Sequence, residues 1–131
     1  VLVHGSEKSR MEQANIVARL KGRSAYTHHY EPEATHILCS ELRRTEKLLC
    51  GLAAGKWFLW PDYVQKCDKA GMWVAEKESE QHAPRATDES SPVWGGAPRK
   101  WREYREKHSS GPFTGQHFLI MAGTNPPPDN V

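Results

Sequence analysis

Apolar and polar positions alternate between two rhythms along the first half of this chain. Val1-Leu2-Val3 opens as a short apolar run, a strand by its β-branched content, and His4-Gly5-Ser6 reads as the loop leaving it. A helical rhythm follows. Met11, Ala14 and Ala18 form one row and Ile16, Val17 and Leu20 a neighbouring one, which predicts a helix with a broad inner face. Ser9 and Glu12 have the spacing of a capping box, and Gly22 is placed to close the helix. Arg23 to Tyr30, carrying Ala25, Tyr26 and Tyr30, is a weakly patterned second strand.

The rhythm is clearest from Thr35 to Trp73. Thr35-His-Ile-Leu-Cys39 is a β-favouring run bounded by Glu31-Pro32-Glu33 and Ser40-Glu41. Arg43, Arg44 and Thr45 make a polar approach to a second helix, whose apolar stripe is Leu48, Leu49 and Leu52 with Ala53 beside them. Gly55 is its natural stop, because glycine enters the left-handed conformation without a Cβ penalty. Trp57-Phe-Leu-Trp60 is apolar throughout, as a strand covered on both faces would be. Pro61 suits the first position of a third helix, with Val64, Cys67 and Ala70 marking its inner face and Gly71 ending it. Strand, helix, strand, helix with short connections predicts a parallel sheet carrying helices on both faces.

Past Ala75 the pattern dissolves into Glu, Lys, Ser, Gln, His, Pro, Thr and Asp, with Val93 and Trp94 as the large apolar exceptions before Gly96. Such a composition reads as a mobile linker. Order restarts at Ala97. Pro98 fits a helix start, and Trp101, Tyr104 and His108 share one face at i, i+3 and i+7, an aromatic face that needs a cover. Glu103 and Lys107 have the favourable i, i+4 order. His117 to Ala122 is a further β-favouring run, and a lone strand must pair with a sheet edge, a second copy or further chain.

Four motifs in this order carry a resemblance: Thr35-His-Ile, Arg43-Arg-Thr-Glu-Lys47, Ala53-Ala-Gly-Lys-Trp57 and Trp60-Pro-Asp-Tyr63. They resemble the BRCT repeat, the phosphopeptide-binding and scaffold module of DNA-damage proteins, with Tyr63 standing where the family usually has Trp. The resemblance implies a BRCT-like three-layer α/β fold: a four-stranded parallel sheet flanked by three helices, plus a linker helix and one orphan strand. The expected organisation is a repeat over residues 1–76, a polar linker over 77–96, a linker helix over 97–110 and the start of a second, incomplete repeat over 111–131. Val1-Leu2-Val3 has the look of a strand cut into, so the chain is expected to be a piece of a longer protein.

The resemblance also implies a site. Phosphopeptide-binding repeats hold phosphate with a hydroxyl after strand one, the next backbone N–H and a lysine in helix two. A helix N-terminus favours a dianion, and a lysine adds a charge-assisted bond to its acceptor oxygens. Lys47 matches the lysine, beside Thr45, and Gly5 the backbone donor. His4 departs from the pattern, an imidazole in the hydroxyl's place, and Ser6 is the candidate to restore that hydroxyl. The implied partner is a phosphorylated protein, through a phosphoserine or phosphothreonine motif, in the nucleus. DNA contact, a phospho-independent protein contact and self-association through the orphan strand are the alternatives.

Composition narrows these readings. The 131 residues suit one domain plus an extension, and a formal net charge of +2 is too small to require a nucleic acid. No apolar run is long enough for a membrane span, and the start has no signal-peptide pattern. Cys39, Cys50 and Cys67 are odd in number and scattered in apolar positions, which argues for a reducing compartment. His28, His29, His36 and Cys39 are ligand types without a paired metal spacing, so His36 reads better as a packed, hydrogen-bonded histidine. The basic-aromatic stretch Arg99 to Lys107 reads as packing, since Glu103 and Glu106 dilute its charge. Neither a phosphate loop nor a carboxylate pair suggests an enzyme or a cofactor.

Overall fold

The computed structural model describes residues 1–3, 7–25, 27, 29–40, 42, 45–80, 96–119 and 121. Its elements run β1 (Leu2–Val3), α1 (Glu7–Arg19), β2 (His36–Leu38), α2 (Glu46–Ala53), β3 (Trp57–Leu59), α3 (Asp62–Ala70), a 3-10 turn (Lys77–Ser79) and α4 (Ala97–Lys107). The strands form a parallel sheet in the order β1-β2-β3, in register Leu2 with Ile37 and Ile37 with Phe58.

Alternation along β2 and β3 sends neighbouring residues to opposite faces, and a helical layer covers each face. Leu38 and Leu59 pack with Ile16 and Val17 of α1 and with Tyr63, Val64 and Cys67 of α3. Ile37, Cys39 and Phe58 pack with Ala34 and with Leu48 of α2. These residues are essentially sealed from solvent. The three layers follow from strands whose apolar residues point to both faces, Ile37 and Phe58 to one and Leu38 and Leu59 to the other.

The sheet differs from the expected four strands. Among the described residues it has three, and the second-strand stretch contributes backbone bonds beside β1 and the packing of Ala25 against the α2-side core. Ala25 N–H donates to the Val1 carbonyl at 2.9 Å, and the Val1 nitrogen donates to the Arg23 carbonyl at 2.7 Å. A weakly apolar, histidine-rich run has little to bury, so it pairs briefly at the sheet edge. Tyr26 and His28 of that run lie outside the described residues.

Local details also shift. Helix α1 starts at Glu7, so Ser9 lies within it and its Oγ accepts from Gln13 Nε2 at 3.1 Å instead of capping. Its inner face is Gln13, Ile16 and Val17, while Met11 and Ala18 face solvent. Lys21, at φ 57°, makes the left-handed turn expected of Gly22. Gly22 is needed for space, since a Cβ there would stand 2.7 Å from the Trp73 ring. On α3 the inner face is Tyr63, Val64 and Cys67, with Ala70 exposed. Tyr63 occupies its buried place with its hydroxyl donating to the Val74 carbonyl at 2.8 Å.

The stretch read as linker from residue 77 begins inside the domain. Ser79 and Glu80 are buried; Trp60 N–H donates to the Ser79 carbonyl at 3.0 Å, and Glu80 bridges Leu59 in antiparallel fashion. Residues 81–95, with Val93 and Trp94, lie outside the described residues. At the other end, His117, Phe118, Leu119 and Met121 belong to no strand, and Phe118, Leu119 and Met121 are exposed. The expected orphan strand is therefore not formed by its described residues.

Candidate phosphate-binding site

Helix α2 presents its N-terminus beside the loop that joins the β1 edge to β2. Thr45 precedes it in extended conformation (φ −107°, ψ 155°), and its carbonyl accepts the Leu49 N–H at 2.9 Å. The first N–H groups of such a helix have no intrahelical acceptor and carry the positive end of its dipole. Thr45 Oγ1 makes no capping bond. It is shut off from solvent without a hydrogen-bond partner among the described residues, an arrangement that costs free energy until an acceptor or donor reaches it.

The next two residues reach back to the loop. Glu46 Oε1 accepts the Tyr30 N–H at 3.0 Å, and Oε2 faces His29 Nδ1 at 3.3 Å. The Tyr30 N–H, then His29, hold the Glu46 carboxyl below its ordinary pKa. Lys47 Nζ donates to the Thr27 carbonyl. Partial burial lowers the Lys47 pKa, the positive charge of Arg10 on α1 pushes the same way, and Glu46 opposes both.

Of the residues expected from the sequence, Thr45 and Lys47 therefore meet at one helix end. His4, Gly5 and Ser6 lie outside the described residues. Sequence reading missed Arg10. Its signal was positional: it lies one turn into a helix that begins just after the loop holding Gly5. An ammonium has three N–H donors and the Thr27 carbonyl takes one, so Lys47 retains donors for an anion. The positive charge of Arg10 is felt at the same corner.

The other constellations disperse. His29 serves Glu46, and Cys39 is buried on the α2 side of the sheet. His36 Nδ1 accepts from Thr35 Oγ1 at 2.6 Å and Nε2 faces Glu76 Oε1 at 3.3 Å, with the ring stacked on Tyr63. This pairing assigns the Nε2–H tautomer. Burial lowers the His36 pKa against the opposing pull of Glu76. Among the described residues no helix is long and apolar enough to cross a membrane.

One arginine of the α4 basic stretch, Arg102, is turned inward, while Lys100 and Lys107 stay exposed. Arg102 Nε and Nη2 donate to the two carboxylate oxygens of Glu80 at 2.7 and 3.1 Å, and its guanidinium lies 3.6 Å from the Trp57 ring centroid. Arg102 is 5% exposed and Glu80 0%. Arg99 also reaches Glu80, and Glu106 takes a third bond from Arg102. So the buried face of α4 is Pro98 and Arg102, a correction to the expected aromatic face. Trp101, half-buried, donates its ring N–H to the Ala53 carbonyl at 2.9 Å and begins a stack with Tyr104 and His108. Between α2 and α4 lies an apolar groove of about 690 Å³, with Leu49, Leu52, Trp101, Tyr104 and Phe113 in its walls.

No protein-family model matches the chain. A BRCT domain-containing protein of Arabidopsis thaliana is 33% identical over 120 residues, which cover 91% of this chain. The SMC5-SMC6 complex localization factor protein 1 of Homo sapiens is 31% identical over 99 residues, or 74% of this chain. This chain spans about 9% of the length of each of these relatives. Among solved structures, the BRCT5-BRCT6 domains of S. pombe Brc1 superpose with a TM-score of 0.58 at 20% identity, over 78% of this chain and 46% of that one. None of the three is named as an enzyme. The curated relatives and the shared α/β fold together place this chain in the BRCT domain family.

Proposed function

We propose that this chain is a phosphoserine- or phosphothreonine-peptide-binding scaffold module of a nuclear DNA-damage response or replication checkpoint protein. The observation that carries the reading is Lys47 at the α2 N-terminus, beside a Thr45 hydroxyl with no partner among the described residues and within the field of Arg10. A phosphate there would take the free helix N–H groups, the remaining Lys47 donors and the Arg10 charge. Gly5 and either His4 or Ser6 complete the proposed site from the preceding loop. The setting is supported by the relative named for localising the SMC5-SMC6 complex. Motif order also resembles the first repeat of the C-terminal BRCT pair in the topoisomerase II-binding checkpoint scaffold, with residues 111–131 opening a second repeat.

Calorimetry with phosphorylated and unphosphorylated versions of one peptide tests this. The phosphorylated peptide should bind more tightly, and Lys47→Met should remove a charge-assisted contact of roughly 1.5–3 kcal/mol, about 10- to 100-fold in affinity. Equal affinity for both peptides, or no effect of Lys47→Met, overturns the reading. Steep weakening with salt and indifference to peptide sequence would instead indicate DNA. A phospho-independent protein contact is the second reading, favoured by the apolar groove between α2 and α4. It predicts peptide or protein binding that survives Lys47→Met and is lost on Leu49→Glu.

A further inference from the structure

Helix α2 has eight residues, too few for a helix to hold its own shape in water, where about 12–15 are needed. Its place is therefore set by what surrounds it. The inner face is fitted without slack: a Cβ at Gly51 would stand 2.1 Å from Ile37 Cδ1. The outer face rests on α4, through the Trp101 ring N–H on the Ala53 carbonyl and through Gly55, where a Cβ would meet Arg105 Cβ at 2.7 Å. The N-terminal end has weaker moorings. Thr45 supplies no side-chain cap, and among the described residues Glu46 and Lys47 hold the loop of Thr27, His29 and Tyr30.

What fixes α4 is Arg102. Its fork closes on Glu80, a fully buried carboxylate anchored to the edge of β3 by its bridge to Leu59, and its plane stacks on Trp57 of the same strand. A continuous set of contacts thus runs from β3 through Glu80 and Arg102 to α4, then to the outer face of α2, at whose first turn Lys47 stands. We infer that Arg102 is a positioning residue for the anion corner: by docking α4 it sets where α2 holds Lys47. This rests on Lys47 being an anion contact, and it adds that α4 controls that contact from the opposite end of the helix. Whatever grips or frees α4 then changes anion affinity without touching the site.

The test uses amide exchange and a phosphate titration, both followed by NMR on the whole chain. In Arg102→Met the Leu49 amide, bonded to Thr45 at the first turn of α2, should exchange about tenfold faster or more, equivalent to about 1.4 kcal/mol of lost protection. Amides of β2 and α3 should change much less. Inorganic phosphate, read at the amides of α2, should bind at least about fivefold more weakly, and Arg102→Lys should restore little, because an ammonium cannot reproduce the fork. If Arg102→Met unfolds the chain, Trp101→Ala serves, since it frees α4 from α2 without stranding a buried charge. Leu49 exchange that stays at the parental rate while α4 amides lose protection overturns the inference. A parent that ignores phosphate refutes the anion reading alone, and Leu49 exchange still decides whether α4 positions α2.

Discussion

Two groups of charged side chains sit at opposite ends of α2, and they differ in what their charges face. At the C-terminal end, Glu80 and Arg102 are sealed from solvent, joined by two hydrogen bonds and capped by the Trp57 ring. At the N-terminal end, Glu46 and His29 are exposed, and Lys47 gives one bond to a backbone carbonyl. Carrying charge into the interior requires full pairing, so the first group is spent on architecture. The second keeps donors that a ligand can take. Of the basic residues on α4, Arg102 is lost to burial and Arg99 to Glu80, while Lys100 and Lys107 stay exposed beside Glu103 and Glu106.

Breaking the buried group should have the largest effect. Arg102→Met strands the Glu80 carboxylate and should cost about 3–5 kcal/mol in denaturant unfolding, whereas Glu80→Met with Arg102→Met together should recover much of that loss. If the single and double variants unfold alike, the pair is not what pins α4. Next comes Trp101→Ala. Core Trp truncations cost about 3–5 kcal/mol, and half-burial on a docked helix should give roughly half of that. A parental melting curve, with Trp101 freely quenched by iodide, would show that α4 is not held there.

A smaller, pH-dependent effect belongs to His36. Its folded pKa lies below the unfolded value of 6.5 because burial disfavours the imidazolium, despite Glu76. Between those two values the unfolded chain binds more protons, so stability is full above pH 6.5 and declines as pH falls through the folded pKa. Replacing His36 by Asn should remove that part of the acid slope in thermal melts from pH 7.5 to 5.5, and an unchanged slope would assign it elsewhere. The smallest effect is expected at the exposed corner. His29→Ala should leave the melting temperature unchanged, because solvent screens the His29–Glu46 pair; a clear drop would mean that the loop is a structural brace.

How much was legible beforehand follows the same division. The sequence by itself determined β2, α2, β3 and α3, whose apolar residues are close together and whose ends are marked by Gly55, Pro61 and Gly71. It also determined that Thr45 and Lys47 share one helix turn, since two residues so near in sequence cannot be far apart on a helix. Only the tertiary structure decided the rest. Glu80 lies in a polar stretch that reads as linker, and nothing local says that a carboxylate there will be buried. Its partner is 22 residues away, so the pair exists only once β3 and α4 have come together around it. Arg10 approaches Lys47 from another helix. Among the described residues of the second-strand stretch, pairing is with β1 at residues 23–25, because sheet formation depends on what a neighbour can bury, a quantity its own residues do not carry. Short-range patterns record backbone preference and burial direction. Long-range charge pairing is settled by packing, because burial makes a charge without a partner costly.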